Sequence, residues 1–363
     1  MSRHEILVAP GDGVGPEVMA EALKVLGRIG ELHSHELRFR EEPVGGAAID
    51  LYGVAIRDET VAAARDSAAV LFGAVGHPRF DRPDNPVRPE QAILRLRKEL
   101  ELFANLRPVS IHPALRDGSP LRPERLEGTD LVVVRELTGG LYFAEPKKRW
   151  KDAEGRQAVD TLRYGEEEVR RVMHVAFRLA RTRRAKVTSV DKANILETGR
   201  LWREIAGEVG GEYPDVRLEH MLVDAAAMHL LRRPADFDVI VTENTFGDIL
   251  TDEASMLAGS MGLMPSASLG ATGADGTGRG LFEPIHGSAP DIAGRGKANP
   301  LAMILSAAMM LRLSLGLARE ADAVEAAVRA ALDAGCRTAD IAAPGSAPLT
   351  TSQMGDAVLQ HLG

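Results

Sequence analysis

Glu5-Ile-Leu-Val-Ala-Pro-Gly-Asp-Gly-Val-Gly-Pro-Glu17 decides which α/β fold this chain can adopt. An apolar strand runs into a glycine-rich turn and then into a helix opening at Pro16-Glu17, as at the start of a dinucleotide-binding unit. The spacing does not fit that unit. Counted from Gly11, the third glycine of G-x-G-x-x-G falls on Pro16, and no acidic residue ends a second strand at the expected distance. The stretch instead reads as a tight strand-to-helix turn with proline at the first helical position. A nucleotide near it would be held by another geometry.

Working outward, Ala69-Val-Leu-Phe72, Leu131-Val-Val-Val134 and Asp238-Val-Ile-Val241 repeat the short apolar run, and amphipathic helical text separates them. That alternation predicts an α/β protein with a largely parallel sheet. The polar text from Tyr142 to Tyr164, with a turn at Asp152-Ala-Glu-Gly155, predicts an extended arm or hairpin of the kind used in oligomer contacts. A Gly- and Pro-rich stretch from Gly259 to Gly280 interrupts the helical pattern and marks a hinge or boundary.

With 363 residues, 45% hydrophobic and 26% charged, the chain can bury two domain cores. The net charge is −8. Its one basic run, Arg181-Thr-Arg-Arg-Ala-Lys186, sits where cations complement a helix end, so no nucleic-acid partner is expected. Cys336 is the single cysteine, which excludes an internal disulfide. Together with a start, Met1-Ser-Arg-His-Glu5, that lacks signal-peptide features, it predicts a cytoplasmic protein. Leu301 to Leu311 is too short to span a bilayer and reads as a buried helix, so no membrane partner is expected.

Beyond the strand at Asp238, Phe246-Gly-Asp-Ile-Leu-Thr-Asp252 sets two carboxylates four residues apart at a strand-to-helix turn. Helical neighbours at i and i+4 share a face, so Asp248 and Asp252 would converge on one point. Two hard oxygens so placed suit Mg²⁺ or Mn²⁺. A bare DxxxD is more often a solvated helix face, and its surroundings must decide.

Those surroundings are Leu7-Val-Ala-Pro-Gly-Asp-Gly-Val-Gly-Pro-Glu17, Leu102-Phe-Ala-Asn-Leu-Arg-Pro108, Val134-Arg-Glu-Leu-Thr-Gly-Gly-Leu-Tyr-Phe143, Ser189-Val-Asp-Lys-Ala-Asn194, Phe246-Gly-Asp-Ile-Leu250 and His286-Gly-Ser-Ala-Pro-Asp-Ile-Ala-Gly294. In this order, the chain resembles the metal-dependent β-decarboxylating dehydrogenases of the isocitrate/isopropylmalate family. The resemblance implies two α/β domains around an extended mixed sheet, with an active cleft between them that closes on substrate. Residues 1–102 with 259–363 would form a cofactor-binding domain from both chain ends. Residues 103–258 would form an inserted domain carrying dimer contacts and the metal site.

The implied reaction is NAD-dependent oxidative decarboxylation of an alkylmalate, 3-isopropylmalate to 4-methyl-2-oxopentanoate in leucine biosynthesis. Arg97, Arg107 and Arg135 offer guanidinium forks for the malate carboxylates, although any one of them read alone is a surface arginine. Arg97 shares a helix face with Ile93 and Leu94, which by resemblance meet the alkyl group. Lys192 matches the base for the 2-hydroxyl, and Tyr142 the acid for the enol, with Lys192 as its partner. Asp224 is implied as the third metal ligand, although alone it reads as an N-cap of the helix it opens. By resemblance, Asp224 and Lys192 reach the site from the second subunit of a homodimer. Glu90, Asn194 and Asp224 complete the implied substrate contacts.

For the cofactor, Asp291 matches the carboxylate on the adenosine ribose diol, which favours NAD over NADP. His286, Gly287, Ser288, Ala289, Pro290 and Ile292 belong to the same loop, and Asn299 would meet the adenine. Gly76 and Glu90 would lie along the nicotinamide half.

Four positions depart from the resembling pattern. His77 replaces a glycine, Phe80 a tryptophan, Ile93-Leu94 a leucine pair, and Glu243 a small residue before Asn244. These departures leave open a sibling acting on 3-methylmalate, D-malate, tartrate or homoisocitrate. Leu137-Thr-Gly-Gly140, and the lack of serine between Glu90 and Phe103, favour the isopropylmalate type over isocitrate relatives. A non-catalytic regulatory subunit should lack some of Tyr142, Lys192, Asp224, Asp248 and Asp252, and all five are present.

Overall fold

The computed structural model describes residues 2–82, 85–273 and 276–363. Two compact units emerge, one built from residues 1–102, 112–120 and 258–363, the other from 103–111 and 121–257. In the first, β1 (Arg3–Gly11) lies between β2 (Glu36–Glu41) and β3 (Ala69–Ala74), parallel to both. Ile6 to Ala9 and all of β3 are buried, which is why both runs are continuously apolar. β2 is mostly exposed and charged, at Arg38, Arg40 and Glu41, as suits an edge strand.

The second unit opens with β4 (Ala104–Ser110) antiparallel to β5 (Asp130–Glu136). A hairpin follows, β6 (Lys148–Asp152) with β7 (Gly155–Val159), turning between Asp152 and Gly155 where the sequence placed it. Then come β8 (Lys186–Asp191), β9 (Arg217–Leu222) and β10 (Val239–Thr242). β10 pairs in parallel with β5 on one side and β8 on the other, and β8 pairs with β9. The basic run after the helix Glu166–Arg181 is taken up internally: Arg181 pairs with Asp215, and Arg183 with Asp130 and Asp238.

The chain returns to the first unit with β11 (Pro265–Thr272) antiparallel to β12 (Gly278–Pro284), itself parallel to β3. The stretch from Gly259 to Gly280, expected to be a hinge or boundary, begins two residues after the second unit ends at Leu257, and much of it is strand: Pro265 to Gly270 is wholly buried, and its small residues suit a tightly packed interior. Positions 274 and 275 of that stretch, like Met1 of the start Met1-Ser-Arg-His-Glu5, lie outside the described residues. The apolar stretch from Leu301 is the buried helix Leu301–Leu313. Among the described residues no helix is long and apolar enough to cross a membrane.

The glycine-rich turn shows why the dinucleotide spacing failed. The Asp12 amide donates to the Ala74 carbonyl (2.7 Å) and the Val14 amide to the Ser288 carbonyl (2.8 Å), so these donors hold protein instead of phosphate. The helix Gly15–His33 then starts with proline in its first turn and buries Val18, Met19, Ala22, Val25, Leu26 and Ile29. Gly13 has φ +59°, and a Cβ there would stand 1.9 Å from the Ser288 carbonyl oxygen. Gly13→Ala is therefore expected to destabilise the chain by more than about 3 kcal/mol, through backbone strain plus displacement of the Ser288 segment. Urea denaturation would check this, and a loss below about 1 kcal/mol would contradict the close approach.

Candidate active site

In the second unit, Asn105 and Arg107 lie two residues apart on β4, and Asn105 faces Arg135 across the β4–β5 ladder. All three side chains therefore share one face. The helix Asn244–Ser255 packs against both strands. Arg107 and Arg135 are 7% and 3% exposed, so neither is the surface arginine that each alone suggested. The Arg107 Nε donates to Asn105 Oδ1 (2.8 Å) and its Nη1 to Thr251 Oγ1 (2.5 Å). The Arg135 Nε donates to Asn244 Oδ1 (3.0 Å), and its Nη1 donates to Asp248. Gly247 makes room for this: a Cβ there would lie 2.6 Å from Arg135 Cγ.

Asp248 and Asp252 converge as the spacing required, with oxygens 4.0 Å and 3.8 Å from the Arg107 guanidinium. Burial, opposed by Arg107, and then the neighbouring Asp248 charge hold the Asp252 carboxyl above its usual range. A divalent cation would offset both unfavourable effects, and the donors are hard oxygens, so the pair fits Mg²⁺ or Mn²⁺. Among the described residues, however, no three acidic, histidine or cysteine side chains come together to hold a metal ion.

Tyr142 follows β5 in a short 3₁₀ turn, Gly140–Tyr142, and its hydroxyl donates to Asp248 Oδ2 (3.0 Å). Burial first, then the Asp248 carboxylate, pushes this hydroxyl upward, so it keeps its proton. Lys192, expected as its partner, lies elsewhere in the unit, just after β8, where Nζ donates to Asp224 Oδ1 (2.8 Å). Within one chain, then, the Tyr142 hydroxyl is bonded to a carboxylate and the lysine serves a different one. Asp224 is not an N-cap either. The helix Val223–Arg232 is preceded by Leu222, Asp224 stands in its first turn, and the Lys192 hydrogen bond holds its carboxyl below the usual range. Asn194 is exposed beyond Lys192.

The first unit contains the remaining residues. Arg97, on the helix Gln91–Glu99, donates through Nη2 to Glu283 Oε1 (2.8 Å) on β12. Ile93 is buried in the core and Leu94 is exposed, so only the latter offers free apolar surface. A Cβ on Gly76 would lie 3.4 Å from Glu90 Oε1 and 3.5 Å from Ser288 Oγ, which places these three expected cofactor residues together. A cleft is lined by Val14, Met261, His286, Ala289, Ile292 and Asn299, among others. His286 donates through Nδ1–H to its neighbour's carbonyl (Gly287 O, 2.9 Å), and its buried Nε2 has no partner among the described residues. Burial lowers the His286 pKa, keeping the ring neutral and able to bond to a ligand. Gly287, Pro290 and Asp291 are exposed on the same loop.

Sequence reasoning missed the supports. Asp340 accepts from Asn299 Nδ2 (3.0 Å), Ser260 and Thr338, and the Asn299 carbonyl oxygen accepts from the Leu301 amide. Glu283 could have been noticed as an acid directly after the apolar pair Leu281-Phe282. Glu243, flagged only as a departure, caps the helix Asn244–Ser255: Oε1 accepts from the Phe246 amide (2.7 Å) and Oε2 from the Tyr164 hydroxyl (3.3 Å). Of the other departures, His77 accepts from the Arg79 amide (3.3 Å) and meets Phe80 edge-on.

Mixed parallel and antiparallel strand pairing, a carboxylate pair under two buried arginines and a cleft with a neutral histidine fit an isocitrate/isopropylmalate-type dehydrogenase. Residues 5–358 match the isocitrate/isopropylmalate dehydrogenase family, and the chain belongs to it. More particularly, it is 57% identical over 359 residues to the 3-isopropylmalate dehydrogenase of Anaeromyxobacter dehalogenans, covering 99% of each. It is 56% identical to that of Geobacillus kaustophilus, covering 98% of this chain and 94% of the relative. Among solved structures, isocitrate dehydrogenase from Methylococcus capsulatus matches with a TM-score of 0.86 and 35% identity over 99% of both chains.

Burial raises the Glu243 carboxyl above its ordinary value, against the bonds from Phe246, Thr245 and Tyr164. A raised carboxyl contributes stability that is fully present at acid pH and is lost as pH rises through its folded titration range. Glu243→Gln keeps one acceptor for the Phe246 amide and cannot ionise. The variant should therefore compare worst with the parent at acid pH and improve relative to it as pH rises. Denaturation curves from pH 4 to 8 would show this, and a difference that is flat or of opposite slope would refute it.

Proposed function

We propose that the chain catalyses NAD-dependent oxidative decarboxylation of 3-isopropylmalate to 4-methyl-2-oxopentanoate, the dehydrogenase step of leucine biosynthesis. The observation that carries the reading is the convergence of Asp248, Asp252, Arg107, Arg135 and the Tyr142 hydroxyl on one face of the second unit. The near full-length identity to 3-isopropylmalate dehydrogenases supports the choice of substrate.

Arg107 and Arg135 bind carboxylate oxygens of the malate, with Arg97 as the third guanidinium and Leu94, Ile93, Glu90 and Asn194 as further contacts. The buried acceptors around both β-strand arginines fix the forks before substrate arrives, so little ordering remains for binding. Asp248 and Asp252, joined by Asp224, are the metal ligands. When bound, NAD supplies the hydride acceptor and the divalent cation supplies positive charge for the developing enolate. Lys192 takes the 2-hydroxyl proton as hydride leaves C2. After CO₂ is lost, Tyr142 gives its proton to C3, a role suited to a hydroxyl whose surroundings keep it protonated. The Asp291 carboxylate accepts from the adenosine ribose diol and repels a 2′-phosphate, with His286, Gly287, Ser288, Ala289, Pro290, Ile292 and Asn299 around it, and Gly76 and Glu90 toward the nicotinamide.

The enzyme works as a homodimer in which Lys192 and Asp224 serve the neighbouring subunit's site. Three features support this. Among the described residues Lys192 bonds to Asp224 while Tyr142 bonds to Asp248, the Asp248–Asp252 pair lacks a third ligand, and Met228, Leu231 and Ile249 are exposed on the two helices that carry the carboxylates, with Met256 just past the end of the second. Cys336, free and partly exposed, agrees with a reducing, cytoplasmic setting.

The decisive assay is NADH formation by the purified homomer with Mg²⁺ or Mn²⁺, across 3-isopropylmalate, 3-methylmalate, D-malate, tartrate, isocitrate and homoisocitrate, with chelator and NADP controls. A chelator-sensitive preference for 3-isopropylmalate with NAD is expected, and preference for another acid would replace the substrate while keeping the chemistry. Asp248→Asn should lower kcat/KM by at least ~10²-fold with the fold intact. Pre-steady-state traces should separate the acid from the base. Lys192→Ala loses the NADH burst, whereas Tyr142→Phe keeps it and releases keto acid ~10²-fold more slowly. Identical traces from the two variants would contradict the assigned roles.

A further inference from the structure

The Gly-rich turn that fails as a phosphate loop still carries two carboxylates, and neither is used by the chemistry above. Asp12 is buried and accepts three backbone amides, from Gly46 (2.8 Å), Ala47 (2.9 Å) and Gly76 (3.0 Å). Its position is built into the sequence: a Cβ on Gly45 would lie 2.6 Å from Asp12 Oδ2. One turn of helix later, Glu17 accepts from the amides of Gly294 (3.1 Å) and Gly296 (3.1 Å). Between them, Val14 donates to the Ser288 carbonyl. Thus the single segment from Asp12 to Glu17 fastens two loops far apart in sequence, the turn through Gly76 and the loop from His286 to Gly296.

We infer that Asp12 and Glu17 are positioning residues for the dinucleotide, each acting on a different half of it. Glu17 sets the loop that presents Asp291 and Ile292 to the adenosine half. Asp12 sets the Gly76 amide, and with it the wall shared by Gly76, Glu90 and Ser288 that faces the nicotinamide half. The assignment of halves rests on the NAD reading above. Charge-assisted bonds to backbone amides are the strong class of hydrogen bond; Glu17 holds its loop with two of them, and Asp12 ties the Gly76 amide to the helix start at Gly46-Ala47 with three. A substitution at either site should therefore show itself at the ligand end that its loop contacts, and much less at the other.

ADP-ribose and NADH, titrated against the purified chain by calorimetry and nucleotide fluorescence, separate the halves because ADP-ribose lacks the nicotinamide ring. Glu17→Gln, at a half-buried surface position, should weaken both ligands by roughly tenfold. Asp12→Asn, nearly isosteric, should weaken NADH by roughly tenfold and leave ADP-ribose within about twofold. ADP-ribose binding by this variant doubles as its folding control, and a general structural effect would weaken both ligands together. Unchanged ADP-ribose affinity in Glu17→Gln overturns the inference whatever Asp12→Asn does, as does equal weakening of both ligands by folded Asp12→Asn. If the parent chain binds neither ligand, the NAD reading falls and takes the inference with it; parent binding with unaffected variants overturns the inference alone.

Discussion

A guanidinium taken out of water must find acceptors, and the second unit is arranged around two of them. Arg107 and Arg135 project from adjacent antiparallel strands, and their charges are met by Asn105, Thr251, Asn244 and Asp248. The arrangement depends on register. Because successive side chains on a strand face opposite ways, a slip of one residue between β4 and β5 would change which side chain lies opposite Arg135, and would leave a charge buried without its partner. The same requirement fixes the helix Asn244–Ser255, since the three acceptors other than Asn105 all lie on it, and Gly247 lets it approach the Arg135 stem. The carboxylate pair is thus held in place by what the arginines need before any ligand is present.

In the first unit the corresponding constraint is backbone crowding. Pro10 to Gly15 passes so close to Ala74 and Ser288 that side chains are excluded at Gly11, Gly13 and Gly15. Glycine serves closeness in this turn, as it does in a true dinucleotide fingerprint, but what it approaches is protein. That explains how a similar glycine content arises on a different fold. In the fingerprint the free amides of the helix N-terminus hold a pyrophosphate, whereas here they are spent on carbonyl oxygens and the helix begins with proline.

The strands, the buried helix from Leu301, the hairpin turn at Asp152 to Gly155 and the shared face of Asp248 and Asp252 were legible because each is a local pattern of period or turn chemistry. β11 was not, since Pro265-Ser-Ala-Ser-Leu-Gly270 is built from small residues that fit a crowded interior and read as loop. The burial of Arg107 was equally hidden: an arginine inside a strand announces its cost but not its partners, which come from 144 residues away in the case of Thr251. Asp224 misled for a finer reason. N-cap preference depends on a one-residue choice of helix start, and here the helix begins at Val223, which frees the carboxylate for Lys192.

The substrate question divides along the same physical line. Discriminating isocitrate from an alkylmalate turns on an extra charged carboxylate, which a site without a matching polar partner rejects strongly, and the text between Glu90 and Phe103 contains no serine to meet it. Discriminating isopropyl from methyl turns on a few methylene equivalents, each about 1 kcal/mol or less of apolar transfer. The residues on which that smaller difference depends are those that packing alters. Ile93 is drawn into the core while Leu94 stays exposed, so the apolar surface this helix offers is narrower than the Ile93-Leu94 pair suggests. If the proposed substrate contacts hold, a change at Leu94 bears on the alkyl group directly, whereas a change at Ile93 acts by moving the helix that also holds Arg97 against Glu283.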